Sequence, residues 1–245
     1  MEAKLAFTQF LNHVFGGITT QVLQGVGYHP AIPGAPFDDT FALELAVTLL
    51  LIAFFVVVRL SLSVEKPNPA QQIAEMIHEF SSAQCDQVIG HGYQRFQAFV
   101  TCVGLFILLN NFIGLLFPVL ITPTSKPAVP LGIAVLTFIY YNFHGVREQG
   151  PVGYFKHFAG PVWWMSPLLF PVEVISHLAR MMSLTIRLYA NMLASDLLTV
   201  IFFSLIPFLA PAVFLGLHFA VSLIQAYVFM LLSMIYIAMA VAHEH

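Results

Sequence analysis

The sequence predicts an all-α polytopic membrane protein with one upright span, an interfacial amphipathic helix, a transmembrane hairpin and two long, strongly inclined antiparallel helices. Of the 245 residues, 59% are hydrophobic and 9% are charged, whereas soluble domains carry about 25% charged residues. Several apolar stretches approach about 20 residues, the length that an α-helix needs to cross a bilayer. Together with the 24 phenylalanines, these stretches favour a single helical membrane domain over residues 1–245 rather than a β-barrel.

The N-terminal part is predicted to contain one span. Residues 1–40 form an outer segment with a short amphipathic helix around Ala3–Phe15. Polar side chains in that helix argue against a secretory signal. Residues 41–63 form the first span, which is apolar except for Glu44 near its start and Arg59 near its end.

An amphipathic helix is predicted over residues 68–90. Asn68 offers a cap and Pro69 a first-turn proline. The apolar side chains share one face, which is typical of a helix lying at a membrane surface. They are Ile73, Met76, Ile77, Phe80 and Val88. An ordinary connecting helix packed on the bundle fits the same pattern, and both interpretations can hold together.

Residues 95–147 are predicted to form a transmembrane hairpin. Its two spans cover residues 96–117 and about 131–143, with flanks, and a proline-rich loop joins them. Residues 145–165 are largely polar, so they are predicted to connect the hairpin to the next membrane helix.

Residues 167–242 are predicted to contain two long helices, one from Pro171 to about Leu205 and one from about Ala212 to Val241. About 35 residues make a helix roughly 52 Å long, against a hydrocarbon core of about 30 Å. An unbroken helix of that length must lean by roughly 55°, far beyond the usual tilt of about 20°. The lengths therefore predict two strongly inclined antiparallel helices.

The basic residues predict the orientation. The side with more Lys and Arg faces the cytoplasm, which puts the N-terminus outside and the C-terminus inside. The inner flank carries Arg59, Lys66, Arg95, Arg147 and Lys156, and the outer flank carries Lys4 and Lys126.

Two cations remain, Arg180 and Arg187, and both fall inside a predicted span. Charged groups at membrane depth cost roughly 3 kcal/mol each on insertion scales, and they usually face protein or water on an ion or substrate pathway. At about 100° per residue, a polar or small stripe on this helix lies within about 40° of one line. The stripe consists of Glu173, Ser176, Arg180, Ser183, Arg187, Asn191 and Ala194. Asp196 lies on about the opposite side, so the helix presents a cation to one neighbour and a carboxylate to another.

The stretch 183–196 reads Ser-Leu-x-x-Arg-Leu-x-x-Asn-Met-x-Ala-x-Asp and resembles the signature of subunit a of F-type ATP synthases. The resemblance continues in Gln225-Ala226-Tyr227-Val228-Phe229, Tyr236 and His243-Glu244-His245. Upstream it includes Asn111, Gly114, Pro118, Pro123-Thr124, Pro171, Glu173 and Ser176. It covers roughly residues 40 to 245.

The resemblance implies a stator subunit without chemistry of its own, which provides two offset half-channels for protons against a rotating ring of c subunits. It also implies peripheral-stalk b subunits and other ATP synthase subunits as partners, and a place in the cell inner membrane. The choice between H⁺ and Na⁺ is shared with the ring, and the proton is the ion assigned here. One departure concerns the hairpin loop, where Lys126-Pro127 follow the Pro-Thr pair in place of acidic or amide residues. That departure argues against an ion-inlet role for the loop.

Arg187 is predicted to separate the half-channels. Arginine keeps its proton at any relevant pH, so Arg187 cannot relay one, but it can attract a passing carboxylate and block a continuous proton wire. The resemblance places Asp196, where many relatives carry Glu, and His218 in the inlet half-channel. A structural ion pair of Arg187 with Glu173 or Asp196 is the competing interpretation, although both acids lie too far along the helix for direct contact.

The remaining assignments follow the same resemblance. Gln225 is expected beside Arg187, with Asn191 also on the proton path, and Glu173 is expected to carry protons in the outlet. Accessory roles are assigned to Ser183, Ser222, Tyr236, His177 and Arg180. His177 fits packing as well as transfer, and Arg180 fits an interfacial anchor that snorkels.

Two other classes of function fit parts of the pattern. A self-contained proton-coupled carrier would need an internal repeat, and none is visible in the sequence. An intramembrane metalloprotease would use His177 and His218, but no His-Glu-x-x-His is present. Cys85 and Cys102 lack metal-site spacing, so no metal or cofactor is expected, and the absence of a basic cluster argues against nucleic acid.

Overall fold

A computed structural model describes residues 5–25, 36–63, 67–116, 122–159, 166–205 and 209–241. Within these ranges the backbone forms seven α-helices, one 3-10 turn and no strand, which confirms the expectation of an all-α protein. The helices are α1 Ala6–Gly25, α2 Asp39–Leu60, α3 Pro69–Ile89, α4 Gln94–Leu116, α5 Ala128–Ala159, α6 Ser166–Leu205 and α7 Leu209–Val241, with the 3-10 turn at Pro123–Ser125.

Five of the described helices contain a stretch long and apolar enough to cross a membrane. The stretches are Asp39–Leu60, Gln94–Ile113, Ala128–Gly150, Pro167–Phe202 and Val213–Val241. The protein is therefore a multi-pass membrane protein. Contacts divide the chain into two compact units, Met1–Val56 and Val57–His245, and the second unit carries the residues that the sequence analysis assigns to the proton path.

Helix α3 packs on α4 and α7, and its side chains at that contact include Cys85, Val88 and Ile89. Ser81 and Cys85 are buried, whereas Met76 and Phe80 on the apolar face are exposed. Pro69 opens the helix, but Asn68 makes no side-chain capping hydrogen bond to a described residue. The contacts confirm that this helix packs on the bundle. Its position at a membrane surface stays a prediction.

Helix α5 is longer than the sequence predicts. The helix runs through the polar residues 145–149 to a kink at Gly150 and resumes up to Ala159. Gly150 has φ 74° and ψ 157°, a backbone conformation that glycine adopts readily and L side chains avoid. One glycine thus changes the direction of the chain without ending the helical segment, while residues 160–165 lie outside the described part.

Helices α6 and α7 are continuous over 40 and 33 residues, or about 60 Å and 50 Å at about 1.5 Å per residue. Pro171 lies inside α6 rather than at its start, because the helix already begins at Ser166. Two side-chain pairs show that the helices run antiparallel: Asn191 contacts Gln225, and Ser195 contacts His218. Residue numbers thus fall along α7 as they rise along α6.

The core of the second unit joins α4, α5, α6 and α7. One cluster of fully buried side chains includes Ile107, Leu188, Met192 and Phe229. A neighbouring cluster around Met234 includes residues of α3, α4, α5 and α7. Leu188 and Met192 fix which side of α6 faces the core, and hence which side the polar stripe occupies.

Candidate functional site

Asp196 is held by the turn that follows α4. Its carboxylate, 15% exposed, accepts a hydrogen bond from the Thr122 backbone N at 3.0 Å, from Thr122 Oγ1 at 2.8 Å and from Ser125 Oγ. The turn itself closes through Ser125 N, which donates to the Thr122 carbonyl at 2.9 Å. An ionised carboxylate only accepts hydrogen bonds, so three converging donors match that form. The loop that carries Lys126 thus contacts Asp196 through two hydroxyls and a backbone N–H, and its part in ion entry stays a prediction.

His218 lies against Asp196 and is almost fully buried. Its Nδ1 is 2.8 Å from Ser195 Oγ and 3.6 Å from Asp196 Oδ1, and its Nε2 is 3.3 Å from the Asn111 carbonyl oxygen. A carbonyl only accepts, so Nε2 carries a proton when it bonds Asn111. In the neutral ring Nδ1 then accepts from the Ser195 hydroxyl, and a second proton on Nδ1 would make it a donor toward Asp196.

Unpaired polar atoms surround this pair. Thr124 Oγ1 donates to Asn111 Oδ1 at 2.6 Å. Within the described part of the chain, three buried side-chain atoms have no hydrogen-bond partner: Asn110 Oδ1, Asn111 Nδ2 and Ser222 Oγ. Buried polar groups are normally satisfied by protein or by ordered water. Ser222 is one turn beyond His218 on α7, and Asn111 of α4 contacts His218 through its carbonyl, so two of these residues lie close to the pair.

A second polar pair lies toward the middle of α6. Asn191 Nδ2 donates to Gln225 Oε1 at 3.0 Å, which bridges α6 and α7. The pair lines a cleft of about 300 Å³ between the two helices, together with Ser195 and apolar side chains that include Leu198 and Ile224. Its lining includes Asn191 and Ala194 of the exposed stripe and Ser195, whose hydroxyl contacts His218.

Arg187 is exposed on the stripe that the helical spacing predicts. Ser183, Ala190, Asn191 and Ala194 are exposed beside it. No described residue forms a hydrogen bond or an ion pair with Arg187. The structure does not have the ion pair of Arg187 with Asp196 or Glu173 that was the competing interpretation. Thr122 and Ser125 bind the Asp196 carboxylate, and His177 contacts Glu173.

A separate cluster lies near the start of α6. His177 is buried, with Nδ1 2.8 Å from the Tyr141 hydroxyl and Nε2 3.4 Å from Glu173 Oε1. The Arg180 guanidinium lies 5.7 Å from the centre of the Tyr236 ring, a cation–π distance. The Tyr236 ring is in turn 6.0 Å from the Tyr141 ring, so the cluster joins α5, α6 and α7.

The two clusters are far apart. His177 precedes Ser195, the hydrogen-bond partner of His218, by 18 positions on α6, or about 27 Å along the helix axis. A metal ion binds its nitrogen ligands at about 2.0–2.1 Å, so His177 and His218 cannot share one. This distance argues against the metalloprotease interpretation.

The sequence analysis missed four residues of these clusters: Thr122, Ser125, Ser195 and Tyr141. Ser195 occupies an unspecified position of the stretch 183–196. Ser195 is next to Asp196 and one helical turn beyond Asn191, and this position could have indicated a place near the polar residues. Thr122 and Ser125 contact Asp196 across more than 70 positions of sequence, so no local pattern indicates them. Tyr141 lies in an apolar run, which does not indicate a polar contact either.

The fold and these clusters define a multi-pass helical membrane protein with two protonatable side-chain clusters inside its membrane helices, the arrangement expected of a proton-transporting protein. The profile of the family described as ATP synthase A chain matches residues 41–238. The chain therefore belongs to the ATP synthase A chain family, which confirms the resemblance to subunit a of F-type ATP synthases and, with it, a role in ATP synthesis and proton transport at a membrane.

Relatives support the same assignment. The chain is 49% identical over 245 residues to ATP synthase subunit a of Koribacter versatilis, covering 100% of both chains. It is 43% identical over 210 residues to ATP synthase subunit a of Solibacter usitatus, covering 86% of this chain and 90% of the relative. It is 40% identical over 173 residues to the Bdellovibrio bacteriovorus subunit a, covering 71% and 75%.

Proposed function

We propose that the chain is the non-catalytic stator subunit that conducts protons through two offset half-channels, with Arg187 between them. The observation that carries this proposal is the order of groups along α6. The Glu173–His177 pair precedes Arg187 by 10 positions at its nearer member, and Asp196 follows by 9. These spacings correspond to about 15 Å and 14 Å along the helix, so a fixed cation stands midway between two protonatable clusters.

The inlet half-channel ends at Asp196 and His218. An imidazole can carry a proton on either ring nitrogen, so His218 can take a proton at Nδ1 and present it to the Asp196 carboxylate. The donor–acceptor separation of 3.6 Å exceeds a hydrogen bond, so transfer requires a small approach or one bridging water. The Thr122–Ser125 turn keeps the carboxylate in place beside His218 while this happens, and Asn111 and Ser222 supply further sites for water.

Arg187 prevents protons from passing straight from inlet to outlet. A guanidinium does not release its proton, so no relay can run through it. Its positive charge attracts the carboxylate of a c subunit arriving on the ring and favours the ionised state of that carboxylate. The small exposed residues Ser183, Ala190 and Ala194 beside Arg187 suit close approach of another helix, which is the surface the ring would occupy.

The outlet half-channel starts at the Glu173–His177 cluster. Glu173 is the more exposed member and would exchange protons with the aqueous side. His177 and Tyr141 form a hydrogen-bonded pair that can reorient between neutral donor and acceptor states. Arg180, stacked on Tyr236, would keep the local electrostatic potential positive. That potential would favour release of a proton from Glu173 to the aqueous side.

The wider setting follows from the same assignment. Helices α6 and α7 exceed the hydrocarbon core of about 30 Å and would lie strongly inclined beside the ring. The b subunits of the peripheral stalk are the further partners. The basic flanks favour an N-terminus outside and a C-terminus in the cytoplasm of the cell inner membrane.

Replacement of the inlet pair tests the proposal. We expect the combined variant Asp196→Ala with His218→Ala to abolish ATP-driven proton pumping in inverted membrane vesicles while the complex still assembles. His91→Ala, a histidine on an exposed turn, is the matched control and should pump normally. Normal pumping by the combined variant would remove both residues from the proton path.

A further inference from the structure

Helix α1 exposes most of its large apolar side chains along one side, where Leu11 alone of the described side chains is buried. Its large apolar side chains lie within about 140° of one another around the helix axis, and Phe10 and Ile18 are 60% and 66% exposed. The exposed members are Phe7, Phe10, Val14, Phe15 and Ile18. Thr8 and Thr20, outside that arc, are buried. Soluble proteins bury the apolar face of a helix, whereas most of this face is exposed.

Hydrogen bonds fix α1 to the start of α2. Asp39 Oδ1 accepts from the Leu5 backbone N at 3.2 Å and from the Thr8 hydroxyl. Asn12 exchanges two hydrogen bonds with the Phe37 backbone, at 3.1 Å and 3.0 Å. Leu5, directly before α1, and Thr8 and Asn12 within it span about 10 Å, so the hydrogen bonds hold the N-terminal part of α1 beside the start of α2.

The start of α2 lies at the edge of the membrane. Helix α2 has 22 residues, or about 33 Å, which matches a hydrocarbon core of about 30 Å. Its first turn, with Asp39, therefore falls in the interface of one leaflet. The hydrogen bonds hold the N-terminal part of α1 at that same depth.

We propose that α1 is an interfacial membrane helix whose exposed apolar face rests in the lipid of the leaflet where α2 begins. Helices of this kind bury the apolar face about 5–10 Å into the boundary between headgroups and acyl chains. His13 is the one titratable side chain in the sequence of α1, so attraction to anionic headgroups contributes little. The affinity of α1 for lipid therefore comes from its apolar face. Helix α1 lies outside residues 41–238, the part of the chain that the family profile matches.

Nitroxide labels in the whole complex test this proposal. Single cysteines at positions 10, 14 and 18 on the apolar face, and at positions 9 and 13 as opposite-face controls, are introduced after Cys85→Ala and Cys102→Ala. The labelled complex is reconstituted in phosphatidylcholine vesicles and in vesicles that also contain phosphatidylglycerol. Collision rates with lipid-soluble oxygen and with a water-soluble nickel chelate are then compared.

We expect the ratio of oxygen to nickel collisions at positions 10, 14 and 18 to exceed that at 9 and 13 several-fold, equally in both lipids. High nickel collision rates at all five positions would put α1 in water and overturn the proposal. Low rates for both reagents at 10, 14 and 18 would mean that another protein covers the face, which also overturns it. A ratio that rises only with phosphatidylglycerol would contradict purely apolar anchoring.

Discussion

Ser125→Ala probes the hydrogen bonds that hold Asp196. The change removes one of three donors to a carboxylate that is 15% exposed. A hydrogen bond to a charged group contributes about 1.5–3 kcal/mol, which corresponds to about 10- to 150-fold in population. Because both donors of Thr122 remain, we expect the rate of ATP-driven proton pumping to fall about 10-fold, the lower end of that range.

The assay is the initial rate of acidification of inverted vesicles after ATP addition, normalised to the amount of assembled complex. Thr122→Val removes the second hydroxyl, and combined with Ser125→Ala it should slow pumping more than either single change. Ser204→Ala is the matched control, because the Ser204 hydroxyl is exposed and donates to the Ile201 carbonyl of its own helix. Normal pumping by the combined Thr122 and Ser125 variant, in a fully assembled complex, would refute a role of the turn in proton transfer.

Three further predictions concern other contacts. Exchanging the inlet pair, as Asp196→His with His218→Asp, should restore in vesicles part of the pumping that either single change removes, since transfer needs both groups adjacent in either order; no gain over the single variants would contradict this. Tyr141→Phe removes the hydroxyl 2.8 Å from His177 Nδ1 and should slow pumping without loss of assembly, and an unchanged rate would exclude the phenol from the outlet. Burial raises the pKa of the Cys85 thiol, so near pH 8.5 it stays protonated and should alkylate more slowly than a free thiol, measured by mass spectrometry of its peptide; fast alkylation would contradict its burial.

The helical content was predictable because each membrane helix carries its own apolar run. The exposure of Arg187 on the side of α6 away from Leu188 followed from helical spacing alone. Such predictions use only local geometry, which the sequence encodes directly. The extension of α5 through Gly150 was not predictable in this way, because a polar composition fits both a loop and an exposed helix.

The partners of the polar residues were the part that sequence could not predict. Serine and threonine are frequent in membrane helices and loops, so Thr122 and Ser125 carry no signal of their own. Their role depends on a 3-10 turn that brings a backbone N–H and two hydroxyls to one carboxylate. The same holds for Tyr141, whose hydroxyl reaches His177 only because α5 packs against α6. These contacts require the tertiary structure.

Arg187→Ala gives the sharpest test of two half-channels separated by a cation. Passive proton flux is measured in proteoliposomes that contain the complex, with an imposed pH gradient and no ATP, beside Arg187→Lys and the unaltered protein. We expect the alanine variant to assemble and to leak protons, because Arg180, the other cation of the stripe, stacks on Tyr236 in the outlet cluster and leaves no fixed charge between that cluster and Asp196. We expect the lysine variant to assemble but to lose coupled pumping, because a desolvated ammonium can release its proton and lacks the planar fork of a guanidinium. A proton-tight membrane with Arg187→Ala would show that Arg187 is not the barrier.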